Sequence, residues 1–97
     1  MIEIQIIGIR KPGGVYDNHT AISHYQWRDG NGQIAIWDRM RMVNWLLENY
    51  QEHRAYVRDS NGDKAYCKVM KSPAGTLFLE TYPDRTLADN LLSLPQI

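Results

Sequence analysis

Only residues 38–51, DRMRMVNWLLENYQ, carry a helical period; the chain on either side reads as short strands separated by turns. At about 100° per residue, Met40, Val43, Leu46, Leu47 and Tyr50 fall on one apolar arc, with Met42 at its margin. That arc is the expected core face. Asp38 is the expected N-cap, its carboxylate accepting from the first-turn amides. Arg39 projects within the apolar arc, either laying its aliphatic stem over the core edge or offering its guanidinium to a ligand. Trp45 projects from the polar side, either lying flat over an adjoining loop or belonging to a contact surface.

Six strands are expected around this helix. Residues 2–9 alternate around Ile2, Ile4 and Ile6, and residues 19–28 alternate through Ala21, Ser23, Tyr25 and Trp27. Asp29-Gly30-Asn31-Gly32 turns the chain into a third strand at residues 33–37. With a four-residue loop, Trp27 opposes Ile34, Tyr25 opposes Ile36 and His24 opposes Trp37, and a slip of one residue would exchange the faces. Strands at residues 55–59, 64–70 and 77–82 follow, joined by Ser60-Asn61-Gly62-Asp63 and Ser72-Pro73-Ala74-Gly75. Placing Asn61-Gly62 at the tip sets Val57 against Tyr66 and Tyr56 against Cys67, which implies a sheet covered on both faces. The tail, residues 86–95, holds four leucines in eight residues and is expected to dock, with one helical turn opened by Thr86 and Asp89. The expected architecture is therefore α+β: about six mostly antiparallel strands, one principal helix (β-β-β-α-β-β-β) and a docked C-terminal tail.

The 97 residues suffice for one domain over residues 1–97 and are too few for two independent cores. Eleven basic and eleven acidic side chains cancel, which excludes the strong overall field of a dedicated duplex-DNA binder and leaves room for a local patch. The single cysteine, Cys67, cannot form an internal disulfide, and the amino terminus alternates where a secretory signal would run apolar, so a cytoplasmic protein is expected. No window approaches the roughly 18 apolar residues of a membrane span.

His19 and His24 would point to opposite faces of one strand, so no metal is expected, and the glycine pairs precede no helix as a phosphate loop would. No cofactor is expected, and no serine or cysteine sits in a nucleophile's motif. Binding surfaces are easier to draw. Lys64, Tyr66 and Lys68 share one strand face, where an aromatic between two cations suits a single-stranded nucleic acid and equally suits a solvated edge. His24, Gln26 and Trp37 form a second candidate surface, pairing a titratable ring with a flat one.

Four segments resemble a known family: Ile22-Ser23-His24-Tyr25-Gln26-Trp27, Met42-Val43-Asn44-Trp45-Leu46, Ala55-Tyr56-Val57-Arg58-Asp59 and Asp89-Asn90-Leu91-Leu92-Ser93-Leu94-Pro95. In that order they are similar to the small bacterial and phage proteins grouped as domain of unknown function 3892, with serine at Ser23 in place of the expected threonine. The resemblance covers nearly the whole chain, implies an α+β fold and carries no catalytic residue across. It directs attention to Arg58, Asp59, Asp89 and Asn90, as turn and tail anchors or as ligand contacts.

The expected function is that of a non-enzymatic binding or interaction module. Its first form meets a protein partner or a second copy through Trp45 and the apolar side of a second sheet, for example as a phage inhibitor of a host defence protein. Its second form captures a nucleotide or similar anion with Arg39 or Arg58 beside Trp37 and His24. A third form binds single-stranded nucleic acid through Lys64, Tyr66 and Lys68.

Overall fold

The structure is a computed structural model that describes residues 1–12, 21–58, 61–82, 91 and 94–97. Among the described residues one sheet holds every strand: β1 (Ile2–Arg10), β2 (His24–Arg28), β3 (Ile34–Asp38), β4 (His53–Arg58), β5 (Lys64–Lys71) and β6 (Leu77–Tyr82), in the order β3-β2-β1-β4-β5-β6. Neighbours are antiparallel except β1 and β4, which run parallel from Ile2↔His53 to Gln5↔Tyr56. The helix α1 (Arg39–Glu48) follows β3 and carries the chain across one face of the sheet to β4. The expected β-β-β-α-β-β-β order is the one observed. No helix among the described residues is long and apolar enough to cross a membrane.

The β2–β3 and β5–β6 hairpins use the same turn. Asp29 and Gln33 pair across Gly30-Asn31-Gly32, and Ser72 and Thr76 pair across Pro73-Ala74-Gly75, with backbone bonds of 2.9 to 3.1 Å. Gly32, Gly62 and Gly75 each close their loop at a φ of 84°, 83° and 91°, a left-handed conformation that a Cβ disfavours. The Asp29 carboxylate accepts from the amides of Asn31 and Gln33, both at 2.9 Å, which holds the first loop.

The three-residue loop after β2 corrects the register expected from a four-residue one, and β4 and β5 also pair one residue away from the expected register. Trp27 opposes Ala35 and Tyr25 opposes Trp37, while His24 opposes Asp38. Tyr56 opposes Tyr66 and Val57 opposes Ala65. Each slip of one residue exchanges faces. Trp37 therefore lies on the helix side with Tyr25 and Trp27, whereas Ile34 and Ile36 turn outward and remain about half exposed. In the second meander Ala55, Val57, Ala65, Cys67 and Leu79 face the helix together with the buried Thr81, while Met70 and Phe78 share the outer face with Tyr56, Tyr66 and Lys68.

The core lies under α1. Ile4, Ile6 and Ile9 reach it from β1, where a bulge between Ile6 and Gly8 returns Ile9 to the inner face. The helix is rotated from the expected arc: Met42, Val43 and Leu46 are buried, while Met40, Leu47 and Tyr50 are exposed. The rotation follows Trp45, which is drawn inward to pack against the partly buried Trp37. Asp38 caps the helix as expected, accepting from the Arg41 amide at 2.8 Å.

The tail docks. Leu91 is fully buried, Ile9 donates to the Pro95 carbonyl at 3.0 Å, and Ile97 donates back to Ile9 at 2.9 Å. With β2 on the other edge, this parallel bridge occupies the edge of β1 that β4 leaves free beyond Gln5. The chain between Tyr82 and Leu91, including the expected turn at Thr86 and Asp89, lies outside the described residues, as does the part of the expected second strand before Ala21.

Candidate functional site

Alternation in β4 and β5 places two matching triplets on the outer face of the sheet, opposite the helix. Arg54, Tyr56 and Arg58 line β4, Lys64, Tyr66 and Lys68 line β5, and the observed register sets Tyr56 against Tyr66 and Arg58 against Lys64. The tyrosine rings meet edge to face at 6.1 Å. Cations stand over both rings: Lys64 at 4.6 Å and Arg58 at 5.4 Å from the centre of Tyr56, and Arg54 at 5.8 Å from that of Tyr66. Arg54, Arg58, Lys64 and Lys68 are all exposed.

Glu3, on β1, anchors this array from across β4. Its carboxylate accepts from Lys64 Nζ at 2.7 Å and from the Tyr66 hydroxyl at 2.9 Å. The Lys64 and then the Tyr66 hydrogen bond hold the Glu3 carboxyl below its ordinary range, and the same carboxylate raises both Lys64 and Tyr66. Glu3 thus fixes one cation and one ring, while Arg58 closes its own hairpin by donating to the Gly62 carbonyl at 2.9 Å.

A second aromatic array lies on the helix side. Trp27 meets Trp37 edge to face at 4.8 Å, Trp37 meets Trp45 at 5.8 Å, and Trp45 stacks on His53 at 4.2 Å with the rings 3° from parallel. His53 Nδ1 lies 2.7 Å from the Trp45 carbonyl; because that oxygen can only accept, Nδ1 carries the proton. Arg41 stands 4.9 Å over Trp37. With Trp37 and His53 both packed on it, Trp45 bridges α1 to β3 and β4.

The residues expected from sequence to form sites are dispersed. His24 lies on the outer face, its Nδ1 2.8 Å from Ser23 Oγ, and the slipped register separates it from Trp37 on the opposite face. Arg39 is half-buried at the start of the helix, its amide donating to the Ser23 carbonyl at 2.8 Å and its guanidinium reaching the Ile22 carbonyl at 3.5 Å. Arg58 joins the outer array, beside the expected Lys64, Tyr66 and Lys68. Asp89 and Asn90 lie outside the described residues, as does Asp59. Sequence reasoning missed Glu3, Arg54 and Tyr56. The signal for two of them was present: cation-tyrosine-cation at a period of two occurs in both β4 and β5, and only the one-residue slip hid their pairing.

Among the described residues the fold is an α+β domain of one sheet and one helix, with cations and tyrosines on the face opposite the helix. The chain belongs to the family described as Protein of unknown function (DUF3892), whose family model matches residues 5–95. No curated protein and no solved structure matches it.

Proposed function

We propose that this protein is a non-enzymatic binding module that holds single-stranded nucleic acid on the outer face of its sheet. The pairing of Arg54-Tyr56-Arg58 with Lys64-Tyr66-Lys68 carries this reading. Tyrosine rings and arginine planes are sequence-tolerant stacking surfaces for unpaired bases, and the surrounding cations suit the phosphates between them. The zero net charge of the chain argues less against this than the totals suggest, because four cations are gathered on two adjacent strands. Cys67, the single cysteine of the sequence, has no second thiol to form a disulfide with, which fits a reducing cytoplasmic compartment.

Fluorescence anisotropy with labelled single-stranded DNA and RNA tests the reading. Lys64 is already paired with Glu3, so with Arg54, Arg58 and Lys68 neutralising three phosphates at about 0.7 ions each, affinity should fall by about 20-fold between about 50 and about 200 mM salt. Tyr56→Ala should cost about 1–3 kcal/mol of binding through lost stacking. Absent or salt-insensitive binding would refute the proposal.

Self-association has a separate observation in its favour. The edge strand β3 exposes Ile34 and Ile36, 52% and 46% accessible, and has neither a lysine nor a proline to discourage pairing. A second copy joined edge to edge would continue the sheet. Sedimentation equilibrium should then show a dimer that Ile36→Lys converts to monomer; a wild-type monomer removes this reading.

A further inference from the structure

The strands β4 and β5 part company after a short ladder. β5 spans Lys64–Lys71 and pairs with β6 over most of that length, but β4 pairs only with its first three residues, ending at Tyr56↔Tyr66. Beyond that point the gap between His53–Ala55 and Cys67–Val69 has no ladder across it, and the last turn of α1 roofs it. The result is a pocket of about 270 Å³ at the fork. Leu46, Leu47 and Val69 give it an apolar body, Tyr50 and Tyr66 give it flat walls, and Arg54 and Lys68 bring cations to its rim. No described carboxylate lines it.

Two features distinguish this pocket from a packing fault. Its size falls just below the range of about 300–1,000 Å³ usual for small-molecule sites, enough for one ring with a substituent and too small for two stacked bases. Its position also explains an exposure that the core does not: Leu47 and Tyr50, 51% and 72% accessible, are walls of the pocket. His53 completes the wall in a fixed orientation, stacked on Trp45 and bonded to its carbonyl. We infer that the fork binds a planar ring carrying one anionic group, of the class of a nucleoside monophosphate. The ring lies between Leu47, Val69 and the tyrosines, and the phosphate lies toward Arg54 and Lys68. The source of that group is a free nucleotide or the phosphorylated end of a strand. The site does not require the outer face to bind strands.

The stack of Trp45 on His53 supplies the readout, since a ligand against His53 alters tryptophan emission. Adenosine, guanosine, cytidine and uridine monophosphates are titrated separately, followed by fluorescence and calorimetry, with the bare nucleosides and inorganic phosphate as further arms. At least one monophosphate should bind saturably, with its nucleoside and phosphate alone each at least about tenfold weaker. Leu47→Glu sets a carboxylate at the mouth from an exposed helix position, so it should weaken that monophosphate at least about tenfold while leaving the melting temperature and oligonucleotide binding unchanged. Tyr56→Ala should show the opposite pattern, losing oligonucleotides and keeping the monophosphate. Competition by a 5′-phosphorylated oligonucleotide that its 5′-hydroxyl form cannot match assigns the site to strand ends; equal competition assigns it to free nucleotide. No saturable binding at millimolar concentrations, or an affinity that Leu47→Glu leaves intact, overturns the inference, whatever the oligonucleotide result.

Discussion

Glu3 is the residue on which the outer face most depends, and its chemistry makes a pH signature. Its carboxyl is held below the ordinary value of 4.5 by Lys64 and Tyr66, so the folded chain favours the charged form. The stability this contributes is complete above about pH 4.5 and drains away as pH falls through the lowered folded value. Lys64 and Tyr66 are raised by the same carboxylate, so their contribution is complete below about pH 10 and is lost as pH rises through their folded values. Tyr25, fully buried and pushed upward by burial, adds to the alkaline loss with the same sign. Melting temperatures of Glu3→Gln measured from about pH 3 to about pH 11 should therefore show a flatter acid limb and a shallower alkaline one, with the Tyr25 share of the alkaline fall retained. An acid limb as steep as the wild type's would exclude Glu3 as its source. None of this was visible in the sequence: Glu3 reads as the polar half of an alternating strand, and its partners lie more than sixty residues away.

Hairpin turns are the elements that decided how much of this fold could be read. The strands, the helix, its Asp38 cap and the docked tail followed from alternation, a helical period and a leucine-rich end. The registers did not, because Asp-Gly-Asn-Gly allows either a four-residue loop or a three-residue loop closed by a left-handed glycine, and the two differ by one residue. That ambiguity moved Trp37 to the wrong face, and a slip of one residue between β4 and β5 hid Tyr56 opposite Cys67. The helix rotation was missed for a related reason: the contact of Trp45 with Trp37 depends on the register of β3. A paired substitution tests the loop geometry. A Cβ at Gly32 meets no neighbouring atom, so Gly32→Ala should cost about 1–2 kcal/mol from backbone strain alone. Gly30 has equal space and no positive φ, so Gly30→Ala should be neutral or stabilise by up to about 1 kcal/mol. Urea unfolding of the two variants checks both signs, and equal effects would contradict the three-residue turn.

At the scale of the whole molecule, charge totals concealed what the sheet does with them. A chain of zero net charge still gathers Arg54, Arg58, Lys64 and Lys68 on two adjacent strands, an arrangement legible only once strand order and register are known. Strand order has a further consequence, in time rather than space. Each three-stranded meander is built from neighbours in sequence, and the sheet joins them where β1 lies parallel to β4, with partners such as Ile4 and Ala55 roughly fifty residues apart. Closing that distance costs entropy before any contact repays it, so joining the halves is the expected slow step. The tail, paired with Ile9 on the same edge of β1 that receives β4, is expected to settle after the halves have met. Ile4→Val, on the seam, should slow refolding in stopped-flow measurements. Leu91→Ala, costing about 2–5 kcal/mol, should speed unfolding and leave the refolding rate unchanged. A refolding rate that fell with Leu91→Ala would mean that the tail enters before the seam closes. In the expected order, the two meanders exist briefly as separate bodies, each with one face still uncovered, and the parallel pair is the event that makes them one protein.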